Sequence, residues 1–202
     1  MRTTYLILFF LIFHSSSFSQ TYQQEIAAHR EKYKQEFLES ERSPIKNKED
    51  LEYIQFYDVD ESFKVTATFS KTANAEPFDL PTMNGKTKRY IEYGSLSFSL
   101  YGKSLSLKIY QNILLLEKPE YKNHLFLPFL DETNGHVTYG GGRYLDYETN
   151  DIKDDKLVLD FNKAYNPYCA FAGGYSCPKP PEENYLHVEI KAGEKSFGRD
   201  TH

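Results

Sequence analysis

The sequence predicts a mainly β domain entered by one N-terminal helix, and three observations carry that expectation. Hydrophobic spacing follows a helical period only to about residue 41, after which alternation with period two takes over. Aromatic residues make up 16% of the chain, as 17 Tyr and 15 Phe with no Trp, a composition suited to pleated, half-buried surfaces. Short apolar runs then recur between Gly, Pro, Asn and Asp clusters, giving about eight strands. An open sheet of that size leaves exposed edges, so a small antiparallel barrel or a curved β-sandwich is the expected closure.

The chain has 202 residues, which suits a single domain. Arg2 supplies a positive charge, Tyr5 to Phe13 an apolar run, and Ser17-Phe18-Ser19 a small-x-small cleavage site, so residues 1–19 read as an export signal. The run is too short for a membrane span, which needs about 20 residues. Residues 20–202 are thus expected as one domain, exported to the periplasm or secreted, with no transmembrane span after signal cleavage.

A helix is expected over 21–41, because Thr21 caps it and Ile26, Tyr33, Phe37 and Leu38 recur on one face. Ser43-Pro44 ends it, and a short second helix is predicted over Lys48 to Tyr53 behind Asn47. The β-region begins at about 60 with FKVTATF. Residues 71–87 hold two prolines and Asn-Gly and read as a loop with at most a short edge strand. RYIEY, SLSFSLY and SLSLKIYQ, separated by Gly94 and by Gly102-Lys103, have the spacing of a meander. LFLPFL is a strand that Pro128 places at an edge or bulge, since proline cannot donate to a ladder. HVTY, GRYLDY, KLVLDF and YLHVEIKA complete the set.

Leu125 to Glu194 concentrates the residue types that a site needs. Gly140-Gly141-Gly142-Arg143 has the glycines of an anion nest beside an arginine, but neither a P-loop nor a Rossmann fingerprint surrounds it. The alternative is a bulged hairpin in which Arg143 pairs with Asp131, Asp146 or Asp160. Asn162, Tyr165, Asn166 and Asn184, with Asp131 and Asp160, are the makings of a polar pocket, or of turns. Cys169 and Cys177 bracket a seven-residue glycine-containing loop, and export favours a disulfide between them. A metal site there lacks further ligands, and a catalytic thiol lacks a basic neighbour. His29, His124, His136 and His187 are dispersed, and no H-E-x-x-H or G-x-S-x-G motif occurs. The net charge of -5, without a basic cluster, argues against nucleic acid as a partner.

At TYGGGRYLD, DFNKAYNPYCAF, CPKPP and the closing AGE, the sequence resembles the bacterial and archaeal domain-of-unknown-function family DUF1684. Upstream, HREKYKQEF and SERSPIKN match that family's Arg-rich helix and Ser-Pro, while the tryptophans of its next hydrophobic segment are missing. The resemblance implies a shared domain and no particular reaction.

The expected function is therefore that of an exported β-domain binding a small molecule or an envelope partner. Its site is expected at Arg143, Tyr144, Asp131, Asp160, Asn162, Tyr165, Asn166 and the Cys169 to Cys177 loop, with no cofactor and no metal. The alternatives are a hydrolase or lyase using Asp131 or Asp160 with a tyrosine or histidine, and a purely structural envelope protein.

Overall fold

A computed structural model describes residues 16–198, so all but the end of the expected export signal lies outside the described residues. Helix α1 (Ser16–Glu39) leads into eight strands: β1 (Lys64–Lys71), β2 (Phe78–Pro81), β3 (Thr87–Leu100), β4 (Lys103–Asn112), β5 (His124–Asp131), β6 (Arg143–Glu148), β7 (Lys156–Asp160) and β8 (Tyr185–Leu186). They form one sheet in the order β6-β5-β4-β3-β1-β7, with β2 added beside β3 and β8 beside β5. The sheet curls into a half-barrel whose end strands β6 and β7 do not pair. Apart from the short parallel contact of β8 with β5, every pairing is antiparallel.

Alternation sets the two faces of the sheet. One face carries the main core, including Ala67, Leu96, Leu107, Leu127, Phe129 and Leu159, and the C-terminal tail adds Leu186, Val188, Ile190 and Ala192 to it. On the opposite face Leu80, Tyr90, Tyr110, Phe126 and Tyr144 make a smaller, aromatic cluster. Helix α1 buries Tyr22, Ile26 and Phe37, which recur at helical spacing, and Phe37 packs with Ile45, Ile54 and Phe171. Among the described residues no helix is long and apolar enough to cross a membrane.

Four expectations are corrected. RYIEY and SLSFSLY are one strand, because Gly94 makes a bulge rather than a turn: the register shifts between Glu92 and Gly94, and a Cβ there would lie 2.4 Å from the Phe69 ring. HVTY is a turn. Asp131 Oδ1 accepts from the Thr133 amide and hydroxyl, and the Thr133 carbonyl accepts from the amides of residues 136, 137 and 138, so local polar bonds outcompete a ladder. In YLHVEIKA only Tyr185 and Leu186 pair. The Pro128 strand is internal, between β4 and β6, because the Asn184 side chain fills the gap that proline leaves. Its Nδ2 donates to the carbonyls of Pro128 at 2.6 Å and Lys108 at 2.8 Å, while its Oδ1 accepts from the Lys108 amide at 2.6 Å. A four-residue helix, α2 (Ile113–Leu116), capped by Asn112, has no counterpart in the sequence reading.

Candidate functional site

Residues of helix α1, of the aromatic face of the sheet and of the facing ends of β6 and β7 together line a cleft of about 960 Å³. Its sheet wall comes from alternate residues pointing one way: Lys88 and Tyr90 on β3, His124 and Phe126 on β5, Tyr144 and Asp146 on β6. The helix supplies Glu25, His29, Lys32, Tyr33 and Glu36, and the disulfide loop supplies Tyr175, Ser176 and Cys177. The rings form a continuous floor: Tyr90 stacks on Phe126 at 5.5 Å, Phe126 meets Tyr144 edge-on at 4.7 Å, and Tyr144 meets Tyr165 at 5.8 Å. Tyr33 closes over Tyr165 from the helix side at 5.8 Å.

Polar groups sit at set points on this floor. Asp146 accepts the Tyr165 hydroxyl at 2.5 Å and contacts His124 Nε2 at 3.0 Å. That contact with Asp146 raises the His124 pKa above its ordinary value. Burial pushes the Tyr165 hydroxyl well above the usual tyrosine range, and the Asp146 charge adds to it, so Tyr165 is a neutral hydrogen-bond donor at physiological pH. Asp160 accepts from the Tyr22 hydroxyl at 2.9 Å and from the Asn162 amide at 3.1 Å, and Lys163 pairs with Glu25 at 2.7 Å. These bonds hold α1 against the end of β7.

Of the residues expected at a site, Tyr144, Asp160, Tyr165, Asn166 and Cys177 line the cleft, whereas Arg143, Asp131 and Asn162 do not. Arg143 is 0% exposed, and of the three carboxylates weighed as its partner it pairs with Asp131, at 2.7 Å. Its remaining bonds go to the carbonyls of Ile190 at 2.9 Å, Ala192 at 2.5 Å and Glu194 at 3.2 Å, so the guanidinium fastens the C-terminal tail to β5 and β6. Asn162 is sealed as well, donating to the Tyr22 hydroxyl and the Asp60 carbonyl and accepting from the Asp60 amide. Asp131 and Asp160 share no partner. Among the described residues no three His, Cys, Asp or Glu side chains are grouped as a metal site requires.

Sequence reasoning passed over Tyr33, Lys88, Tyr90, His124, Phe126 and Asp146. The available signal was the pattern of residues two apart on β3, β5 and β6, whose second face carries rings and charge where a solvated face would carry serine and threonine.

Glu194 was also missed as a functional candidate. Fully buried, it accepts from the Tyr33 hydroxyl and the Asn166 amide, both at 2.8 Å, and burial pushes its carboxyl up to about 8. Because this folded value lies above the unfolded one of about 4.3, the folded state holds the proton longer. Its stabilising contribution is whole below about pH 4.3, falls as pH rises through the interval, and is gone above about 8. Replacing Glu194 with Gln is expected to flatten the decline in stability between those limits, checked by urea denaturation at a series of pH values. His124 acts in the same direction from about pH 6.5 upward and remains in the variant.

Cys169 and Cys177 lie at disulfide distance, their Cα atoms 6.2 Å apart. Closing so short a loop contributes about 2.5 kcal/mol on the chain-entropy model. Denaturation with and without reductant is expected to differ by that amount, and Cys177→Ser to abolish the difference.

The chain matches the family model described as "Protein of unknown function (DUF1684)" over residues 49–195. It is also similar to the solution NMR structure of an uncharacterized protein from Haloarcula marismortui, with 35% identity and a TM-score of 0.68, over 88% of this chain and 95% of that one. No curated protein matches. A family match over nearly three quarters of the chain, joined to a relative sharing both sequence and fold, establishes that this chain belongs to the DUF1684 family.

Proposed function

We propose that this domain binds a small organic molecule in the cleft between α1 and the half-barrel. The observation that carries the reading is the ring floor from Tyr90 to Tyr165 in a cleft of about 960 Å³, a volume suited to a drug-sized ligand. Apolar rings supply affinity without direction, and the polar and charged side chains that line the cleft supply the few contacts that orient a ligand. The hydrolase or lyase alternative through Asp131 or Asp160 has less support, because Asp131 is engaged by Arg143 inside the fold and Asp160, on the cleft wall, is bonded to the Tyr22 hydroxyl and the Asn162 amide. Exported protein meeting extracellular or periplasmic small molecules fits the N-terminal reading.

The test uses Val158, 48% exposed on β7 and part of the cleft wall. Val158→Trp adds an indole to the cleft wall while keeping a residue suited to a strand. Ligands found by a saturation-transfer NMR screen are expected to lose binding to this variant, with its melting temperature nearly unchanged. Full retention of binding by a folded Val158→Trp protein contradicts the location.

A further inference from the structure

The cleft is charged unevenly once internal pairs are set aside. Glu25 is held by Lys163, Asp146 by His124 and Tyr165, and Asp160 by Tyr22 and Asn162. Asp151 accepts from the Glu148 amide at 2.8 Å, and Glu36 faces Lys32 at 3.8 Å. Lys64 lies over the Tyr22 ring at 4.4 Å. Each of these carboxylates thus accepts a hydrogen bond or ion pair within the fold; of the three lining cations that, among the described residues, have no carboxylate oxygen within 4.0 Å of their charged nitrogens, Lys64 is engaged by the Tyr22 ring, which leaves Lys88 and Arg42.

These two cations are brought to one end of the cleft by separate elements. Lys88 stands on β3 opposite Leu80 of β2, two residues before Tyr90 and therefore on the same face as the ring floor. Arg42 follows α1, and its carbonyl accepts the Tyr175 hydroxyl at 2.9 Å, which ties its main chain to the disulfide loop. That loop is fastened to the β2–β3 turn: the Met83 amide donates to the Cys177 carbonyl at 2.9 Å, and the Lys179 amide donates to the Pro81 carbonyl at 2.8 Å. Burial lowers the Lys88 pKa, and the Arg42 charge lowers it further. In a protein of net charge -5, a half-buried lysine and an exposed arginine thus line the same cleft as like charges, an arrangement that favours a bound anion.

We propose that the cleft takes an organic anion, its acidic head held between Lys88 and Arg42 and its apolar body laid along Tyr90, Phe126 and Tyr144. The assignment rests on reading the cleft as a ligand site and adds the ligand's chemical class. The head carries two or more oxygens able to accept from an ammonium and a guanidinium together, and the body is flat or flexible enough to cover two or three rings.

Two dyes that share a ring system, anilinonaphthalene sulfonate and its neutral counterpart phenylnaphthylamine, separate head from body in a fluorescence titration of the full chain. The double variant Lys88→Gln with Arg42→Gln is expected to bind the sulfonate about tenfold more weakly and the neutral dye nearly as well as the wild type does. Lys88→Arg is expected to retain sulfonate binding. Among the described residues neither replaced side chain makes a hydrogen bond or ion pair, and Arg42 anchors Tyr175 through its carbonyl. Equal sulfonate affinity for the wild type and the double variant overturns the anion assignment and leaves the cleft reading standing, provided that Val158→Trp weakens both dyes. Absence of binding of either dye to the wild type, or indifference of both to Val158→Trp, overturns the cleft reading together with the assignment.

Discussion

Replacing Arg143 with methionine is expected to destabilise the protein by about 3–5 kcal/mol. The side chains have comparable length, so the loss is one of charge and donors. Asp131, buried beside it, keeps its Oδ1 bonds to Thr133 and Ile190 but loses the guanidinium at Oδ2. The carbonyls of Ile190, Ala192 and Glu194 lose their donors together, which frees the tail from β6. A buried ion pair is weak evidence of net stability, but removing one member leaves an uncompensated charge. Combining Arg143→Met with Asp131→Asn is therefore expected to recover part of the loss, and Arg143→Lys to be intermediate because a single ammonium cannot span four acceptors. Urea denaturation of the four proteins measures all of these effects.

The second large effect concerns Gly142. Its φ of +86° lies in the left-handed region, and a Cβ would approach Pro180 Cγ to 2.6 Å and the Phe129 carbonyl to 2.7 Å. Backbone strain and overpacking together set the expected cost of Gly142→Ala at about 3 kcal/mol. Gly140 is a built-in control, because its nearest neighbour to a new Cβ lies at 3.6 Å and its φ is not positive. Gly140→Ala is expected within about 0.5 kcal/mol of the wild type. A similar large loss at both positions contradicts this account of the triplet. The Gly-Gly-Gly-Arg segment is then a turn whose last glycine lets β6 begin against Pro180, so that Arg143 enters the interior.

The fold was legible where one period governed a long stretch. SLSFSLYGKSLSLKIY alternates cleanly, and β3 and β4 pair through it around Tyr101-Gly102, both with positive φ. Legibility failed where a side chain took over the work of the backbone. Asp131 turned HVTY away from a strand, Asn184 allowed proline inside the sheet, and the Arg143 fork held YLHVEIKA without a ladder. Each of those bonds joins groups whose meeting depends on tertiary structure or on a competition that propensity does not resolve. The site was half legible for a related reason. Arginine beside glycines resembles an anion nest, and only burial shows that its partners are the protein's own carbonyls. Tyr144, Tyr165 and Asn166 were recognised as crowded polar and aromatic residues. Their companions from α1, β3 and β5 lie some 20 to 140 residues away in sequence, and only the curl of the sheet brings them together.

Amide NMR of the protein titrated with anilinonaphthalene sulfonate tests the central claim most directly. The account predicts that the amides of Lys88, Tyr90, Tyr144, Asp146 and Tyr165 shift together along one binding curve, and that Val158→Trp abolishes the shifts. Shifts confined to the exposed apolar surface at Leu114 and Leu116, or spread over the molecule without saturation, would contradict it.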